Sequence, residues 1–444
     1  MHLPEHILAC LNALEEAGHA AYVVGGCVRD AVLGLTPHDY DICTAALPEE
    51  TEAVFSDKKL VLAGKKHGTV GVVTEGDVVE ITTFRTEGDY RDNRHPEWVA
   101  FVPDIEKDLA RRDFTVNAMA YSPSRGFADP FGGREDLNSH SLRAVGDPEQ
   151  RFREDSLRIL RGVRFAVRFG LTPERDTEQA MFSLAPLMDN LARERVFDEL
   201  CKLLPLVTAG DLLRFAPVIT QVIPELAPLV GYDQKNRHHI HDLFTHTALV
   251  VERCPQDLPL RWAALLHDIG KVQCQTIDEA GQAHYYGHAA LSADMADGIL
   301  RRLKAPTHLR EQAVILIAKH MTLPEPEKKY LRRHLGKLGW ETMEALLQLQ
   351  EADTAATGTD HTGEFSRFTQ IRTILEEIRA ENSCLTVKNL ALNGHDLMAL
   401  GYSGKAIGSA LNRLLNLVLE EQCENTREAL TAALTHFSQG ENIP

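Results

Sequence analysis

Strand signals stop near residue 145, and that change limits the fold more than any other feature of the chain. Before it, short β-branched runs, "AAYVVGG", "DYDICT", "KLVLAG", "TVGVVTEG" and "VVEITTFR", alternate with short helical patterns, which predicts a small mixed sheet carrying helices. After about residue 150 nearly every segment is amphipathic and helical. The first, "EDSLRILRGVRFAVRFG", has acids in its first turn and ends on Gly170. The fold class is therefore α+β, a mixed-sheet head followed by an all-helical remainder. A chain of 444 residues exceeds the size at which one core stops growing. The breaks at 145, at Pro-Glu-Leu 224–226 and in the Thr/Gly/Asp stretch 354–364 divide it into 1–145, 146–225, 226–365 and 366–444.

Composition then excludes several classes of function. No apolar run is long enough to span a membrane, and the N-terminus has no basic start, apolar stretch or cleavage site of a signal peptide. Eight cysteines form no CxxC pair, as expected of a reducing, cytoplasmic setting. A net charge of −17 argues against unspecific binding of polyanions, so any RNA contact needs a local basic patch. One stands at Arg151, Arg153, Arg158, Arg161, Arg164 and Arg168.

Chemistry concentrates in "YVVGGCVRDAVLGLTPHDYDICT", residues 22–44. Gly25 and Gly26 lie where a strand turns into a helix, and free backbone N–H groups at such a start can receive a phosphate. Arg29, in that helix's first turn, opposes the helix dipole and reads as a partner for an anion. Asp39 and Asp41 are two residues apart, so in a strand both face one side. Hard oxygen ligands on one rigid face, completed by substrate phosphates, are how Mg²⁺ is usually held. Glu80, on the strand face of Thr82 and Phe84, is the candidate third carboxylate. Taken alone, each pattern also fits a polar connection in an α/β domain.

Further motifs follow in order: "DLARRDFTVNAMAY" (108–121), "DPFGGREDL" (129–137), "REDSLRILRGVRF" (153–165) and "ARERVFDEL" (192–200). With Gly-Gly-x-x-Arg-Asp and Asp-x-Asp they resemble the class II tRNA nucleotidyltransferases and bacterial poly(A) polymerases, of the polymerase-β-like superfamily. The resemblance implies a catalytic head at 1–145 and a helical neck at 146–225 that recognises the nucleotide base. It implies that Asp39 and Asp41 hold Mg²⁺, with Glu80 as third carboxylate, and that Gly25, Gly26, Arg29 and Arg112 face the triphosphate, with Arg111 in support. Asp155 and Arg158, at i and i+3 on one helix face, pair with the base of CTP or ATP, while Arg161 and Arg164 reach triphosphate or RNA. Asp113 and Asn117 are expected to be structural. The polar stretch 85–108 is similar to the loop with which full CCA-adding enzymes switch from C to A.

In 226–365, five helical patterns carry His246, His267-Asp268, His288, His320 and Asp353. Imidazoles and carboxylates on adjacent helices can converge on one or two divalent metals. The order and the phrase "LLHDIGK" resemble the HD superfamily of metal-dependent phosphohydrolases, which implies all six as ligands. Lys271 reads as a surface lysine or, as the alternative, as a residue facing a substrate phosphate. Residues 366–444, with apolar positions 407, 411, 414, 415 and 418, are similar to the tRNA-holding tail of Bacillus-type enzymes.

The expected activity is addition of CCA to tRNA from CTP and ATP without a nucleic-acid template. A second, phosphohydrolase activity would reside in the HD segment. The alternatives are a poly(A) polymerase or A-only enzyme, and a nucleotide-sensing regulator with an HD domain.

Overall fold

β-branched residues within the first 130 positions pair into a seven-stranded sheet in a computed structural model that describes residues 1–75, 77–88, 98–235, 240–358, 362–381 and 384–438. Two compact units are present: Met1–Ala227 with Arg302–Lys304, and Pro228–Arg301 with Ala305–Pro444.

In the first unit, helix α1 (Glu5–Glu16) leads into β1 (Ala21–Val24), α2 (Gly26–Val32), β2 (Asp41–Thr44), α3 (Pro48–Val54), β3 (Leu60–Val61), β4 (Thr69–Thr74) and β5 (Asp77–Thr83). A short hairpin, β6 (Arg85–Glu87) and β7 (Val99–Phe101), precedes α4 (Ile105–Ala110), β8 (Ala120–Ser122), β9 (Gly126–Ala128) and α5 (Gly133–Asn138). The main sheet runs β3-β4-β5-β2-β1-β8-β9. Only the β2–β5 pairing in it is parallel, which makes the sheet mixed, as the sequence leads one to expect. Val24, Cys43, Phe84, Leu109, Ala118, Ala120 and Val145 form a core on one face.

Beyond the head, β10 (Ser141–Leu142) and β11 (Thr172–Pro173) pair in parallel around α6 (Pro148–Glu154) and α7 (Leu157–Phe169). Helices α8 (Arg175–Ser183), α9 (Arg193–Leu203), α10 (Ala209–Arg214) and α11 (Ala216–Val222) complete the unit. Asp147 caps α6 by accepting from Glu149 N at 3.0 Å, with Pro148 preset for the first turn. Gly170, at φ 61°, closes α7 as expected.

The sequence predicts one helix from Glu154 to Gly170, but the structure breaks it. Asp155 is extended (φ −141°, ψ 101°), and its carboxylate accepts from Leu157 N at 3.1 Å. The side chain thus replaces the helical ladder at the start of α7, a local competition open to Asp.

Among its described residues the second unit is helical apart from one two-stranded hairpin: α12 (Leu243–Arg253), α13 (Leu258–Leu266), α14 (Lys271–Cys274), α15 (His288–Arg302), α16 (Thr307–Lys319), α17 (Lys328–Ala356), α18 (Thr362–Ala380), α19 (Gly394–Ala399), α20 (Lys405–Leu419) and α21 (Arg427–Ser438). Asp242 and Asp257 cap α12 and α13. Leu411 and Leu414 of α20 are buried with Leu397, Leu430 and Leu434, and Ile407, Leu415 and Val418 pack against that cluster.

Candidate active site

The glycine turn is built for close approach. Gly25 has φ 73° and ψ −123°, and a Cβ there would stand 2.9 Å from Arg112 Nη1. Only glycine combines that backbone with that neighbour. Arg112 also donates to Asp108 Oδ2 at 3.3 Å, while its buried Nε meets no hydrogen-bond partner. Arg111 binds Asp108 Oδ1 at 2.9 Å. Burial pushes the Asp108 carboxyl up, but the two guanidiniums outweigh it and hold the group below its ordinary range.

Arg29 has protein partners of its own. Its Nε and Nη2 donate to Asp30 Oδ1 at 2.9 and 2.7 Å, Nη1 donates to Asn117 Oδ1, and the guanidinium stacks 4.2 Å from the Phe169 centroid. It borders the cavity, but these contacts engage its three nitrogens, so its first role is to tie α2 to α7. Asp113 accepts from Phe114 N, Asn117 Nδ2 and Arg161 Nε at 2.8, 3.1 and 2.8 Å. Burial alone would raise Asp113, yet Arg161 and Asn117 bring it down to about 2.

The carboxylates gather at the edge of β2. Asp41 opens that strand, and Asp39 lies in the connection before it, so the two do not share a strand. Parallel pairing of Ile42 with Ile81 puts Asp41 one step back, level with Glu80 and on the same sheet face. Asp41 still reaches solvent. Partial burial raises its carboxyl, Arg112 works against that, and the charges of Glu80 and Asp39 raise it further. A divalent cation would relieve this repulsion, so the residues fit one.

Two cavities meet at Asp41. One of about 430 Å³ is lined by Asp39, Asp41, Asp77 and Glu80 with His6, His38 and Tyr40. The other, of about 400 Å³, is lined by Gly25, Gly26, Arg29, Asp41, Arg111, Arg112, Asp113, Asn117, Asp155, Arg158, Arg161 and Arg195. Phosphate-binding and base-reading candidates, scattered over 130 positions, thus border one cavity, and Asp41 joins it to the one that Asp39 and Glu80 line.

Asp155 and Arg158 lie on opposite sides of the helix break, not on one helix. Arg158 donates from Nη1 to Glu154 Oε2 at 2.7 Å and from Nη2 to the Arg111 carbonyl at 2.9 Å. Asp155 receives Arg195 Nη2 on Oδ2 at 2.7 Å and Nη1 on Oδ1 at 3.3 Å. Arg195 is the cavity residue that sequence reasoning passed over, although "ARERVFDEL" pointed to its helix. Arg164 does not border the cavity: it is buried and donates from Nε to Glu199 Oε2 at 2.5 Å. Residues 89–97 of the 85–108 loop lie outside the described residues.

A second cluster stands in the helical unit at the ends of its helices. His246, His267 and Asp268 form one compact ligand group, and Asp268, His288 and His320 a second. Asp353 Oδ1 lies 3.0 Å from His246 Nε2 and 3.7 Å from His267 Nε2. The Nδ1 atoms of His267, His288 and His320 sit 2.8, 2.6 and 2.7 Å from the carbonyls of Ala264, Tyr285 and Ile317. With Nδ1–H donating there, the Nε2 lone pairs turn toward Asp268, the usual second partner of a metal-ligating imidazole. His267 Nε2 and both Asp268 oxygens are buried with no hydrogen-bond partner in good geometry, a donor set suited to cations. Burial alone would lower His267, but Asp268 and Asp353 raise it to about 10, so metal binding here displaces protons. Lys271 is not a surface residue: it is buried, with Nζ 2.7 Å from Asp268 Oδ2.

A glycine turn at a helix start and a carboxylate edge meet on a mixed sheet, an arrangement suited to a nucleotidyltransferase. Residues 21–143 match the Poly A polymerase head domain, 170–229 the probable RNA and SrmB-binding site of polymerase A, and 284–434 the putative tRNA nucleotidyltransferase domain 2. A CCA-adding enzyme of Geobacillus stearothermophilus is 34% identical over 440 residues, which cover 97% of this chain and 96% of that one. One of Streptococcus pyogenes serotype M2 is 50% identical over 197 residues, 44% of this chain and 48% of its own. The crystal structure of Bacillus stearothermophilus CCA-adding enzyme in complex with CTP superposes with a TM-score of 0.72 at 29% identity, covering 99% of this chain and 98% of that one. The chain belongs to the family of CCA-adding enzymes, and membership implies a divalent metal.

Proposed function

We propose that this chain completes the 3′ end of tRNA. The terminal 3′-hydroxyl attacks the α-phosphorus of CTP, twice, and then of ATP. Each step forms one P–O bond, breaks the bond to pyrophosphate and releases the hydroxyl proton. Gly25, Gly26 and Arg112 hold the triphosphate, and Asp155 with Arg158 reads the base. Asp39, Asp41 and Glu80 would bind Mg²⁺, which supplies charge neutralisation at the reacting phosphate. Arg29, Arg161 and Arg164 brace this arrangement. Catalysis is then mostly positioning and electrostatics. The division into head (1–145), neck (146–225), body (226–365) and tail (366–444) is part of the same reading.

The observation that carries it is the single cavity shared by the glycine turn, Asp41, Arg112, Asp155 and Arg158. The test supplies transcripts ending before CCA, at C and at CC with Mg²⁺ and CTP, ATP or both. Each should be completed to CCA, and Asp39→Ala with Asp41→Ala should slow extension by at least about a hundredfold. Extension of the CC transcript alone would favour the A-only reading, and undiminished extension by the double variant would sink the metal assignment.

The buried His/Asp cluster supports a second activity, metal-dependent phosphohydrolysis, with His246, His267, Asp268, His288, His320 and Asp353 as ligands. The parent protein should bind divalent metal in this unit, and His267→Ala should lose it by elemental analysis. Unchanged content would refute the ligand set.

A further inference from the structure

We infer that Arg195 is a positioning residue for base selection: it sets the plane of the Asp155 carboxylate and so determines which base edge that carboxylate accepts. This rests on the assignment of Asp155 as a base reader. Asp155 belongs to neither α6 nor α7, and its backbone is extended. The terminal torsion of an aspartate has a broad, roughly two-fold profile, so the backbone alone does not fix the carboxylate plane. Arg195 does, through the two-point fork from Nη2 to Oδ2 at 2.7 Å and from Nη1 to Oδ1 at 3.3 Å. With Leu157 N on Oδ1 at 3.1 Å, three of the roughly four acceptor positions of a carboxylate are taken. One remains, enough for a single exocyclic amino group. Cytosine and adenine both present such a donor on their pairing edges, and uracil presents none.

The helix that supplies Arg195 is itself held to the reading helix. Four residues on, and so on the same face of α9, Glu199 receives Arg164 Nε of α7 at 2.5 Å, with Arg161 Nη1 at 4.0 Å. Helix α9 therefore presents a cation to the reader and an anion to the helix behind it.

The test compares parent, Asp155→Ala, Arg195→Ala and Arg195→Lys on a tRNA transcript lacking CCA, measuring kcat and KM for CTP and for UTP, with thermal melts as a control for folding. Arg195→Ala should raise KM for CTP and leave KM for UTP in place, cutting CTP-over-UTP selectivity by about fivefold to a hundredfold. Lysine keeps the charge without the fork, so Arg195→Lys should fall between parent and Arg195→Ala. If Asp155→Ala loses selectivity while Arg195→Ala keeps it, the positioning role is wrong and the base reader stands. If Asp155→Ala keeps selectivity, the base assignment fails and the positioning role with it. Equal rises in KM for both nucleotides at Arg195→Ala, with no recovery in Arg195→Lys, would reduce Arg195 to a fold contact.

Discussion

At the scale of single residues, Asp113 shows how a side chain can shape the site from behind it. It is buried, it fixes Arg161 and Asn117, and Asn117 in turn accepts from Arg29. Its carboxyl lies at about 2 in the fold against an ordinary value of 3.8, so the stabilisation is complete above pH 3.8 and is lost as pH falls toward 2. That difference corresponds to about 2 kcal/mol. Denaturant unfolding should therefore separate parent from Asp113→Asn by about that amount at neutral pH, with the gap closing toward pH 2. Candidate residues were legible where they depend on short spacing: the glycine pair, Asp41 and the histidine order all needed only neighbours in sequence, and the structure places each beside a cavity or in a cluster. The protein partners of Arg29 and Arg164 were not legible, for the opposite reason. Asn117, 88 positions from Arg29, and Glu199, 35 from Arg164, take up their donors, and no local pattern announces such partners.

Elements set what those residues can do. The turn between β1 and α2 tolerates no side chain at Gly25, since φ 73° with ψ −123° is a glycine conformation and Arg112 fills the space where a Cβ would go. Gly25→Ala should cost about 1–3 kcal/mol in chemical unfolding and raise KM for CTP, because Arg112 must retreat from the triphosphate. Helix α7 makes the same point through packing. A Cβ on Gly162 would stand 2.9 Å from the Phe114 ring and 3.2 Å from Met181 Cε. Gly162→Ala should destabilise by about 1–3 kcal/mol, measured by urea unfolding, as overpacked cores do. The sheet was legible because alternation in β-branched runs has few other uses. The interruption at Asp155 was not: "EDSLRILRG" satisfies a helical pattern throughout, and what overrides it is a side chain capping the next helix and a salt bridge to α9.

Over the whole molecule, two compact units each hold their own site, and their dependence on metal should differ in kind. In the helical unit, buried imidazoles converge on Asp268, whose charge only Lys271 and protonated histidine would otherwise balance, so a cation bound there as proposed would contribute to folding as well as to chemistry. At a metal concentration a hundredfold above its dissociation constant the gain is about 2.7 kcal/mol. Adding divalent metal to chelator-treated protein should raise the melting temperature of the parent and leave that of His267→Ala unmoved. In the head, the carboxylates border open cavities and should bind metal more loosely until a triphosphate completes the shell. The overall charge of −17 hides a local concentration of cations, since six arginines line one cavity. The break in the helix at Asp155 bears on how such an enzyme can change over generations. The residue lies outside both helical ladders, and a long-range salt bridge rather than core packing holds its side chain. If it reads the base as proposed, replacing it would remove the cap on α7 and the bridge to α9 but no core packing, while altering which letter is accepted. Arg158, bonded to the Arg111 carbonyl and buried, has no such latitude. On the proposed assignment, half of the base-reading pair would be open to rewriting by point mutation, and the other half constrained by the stability of the fold that carries it.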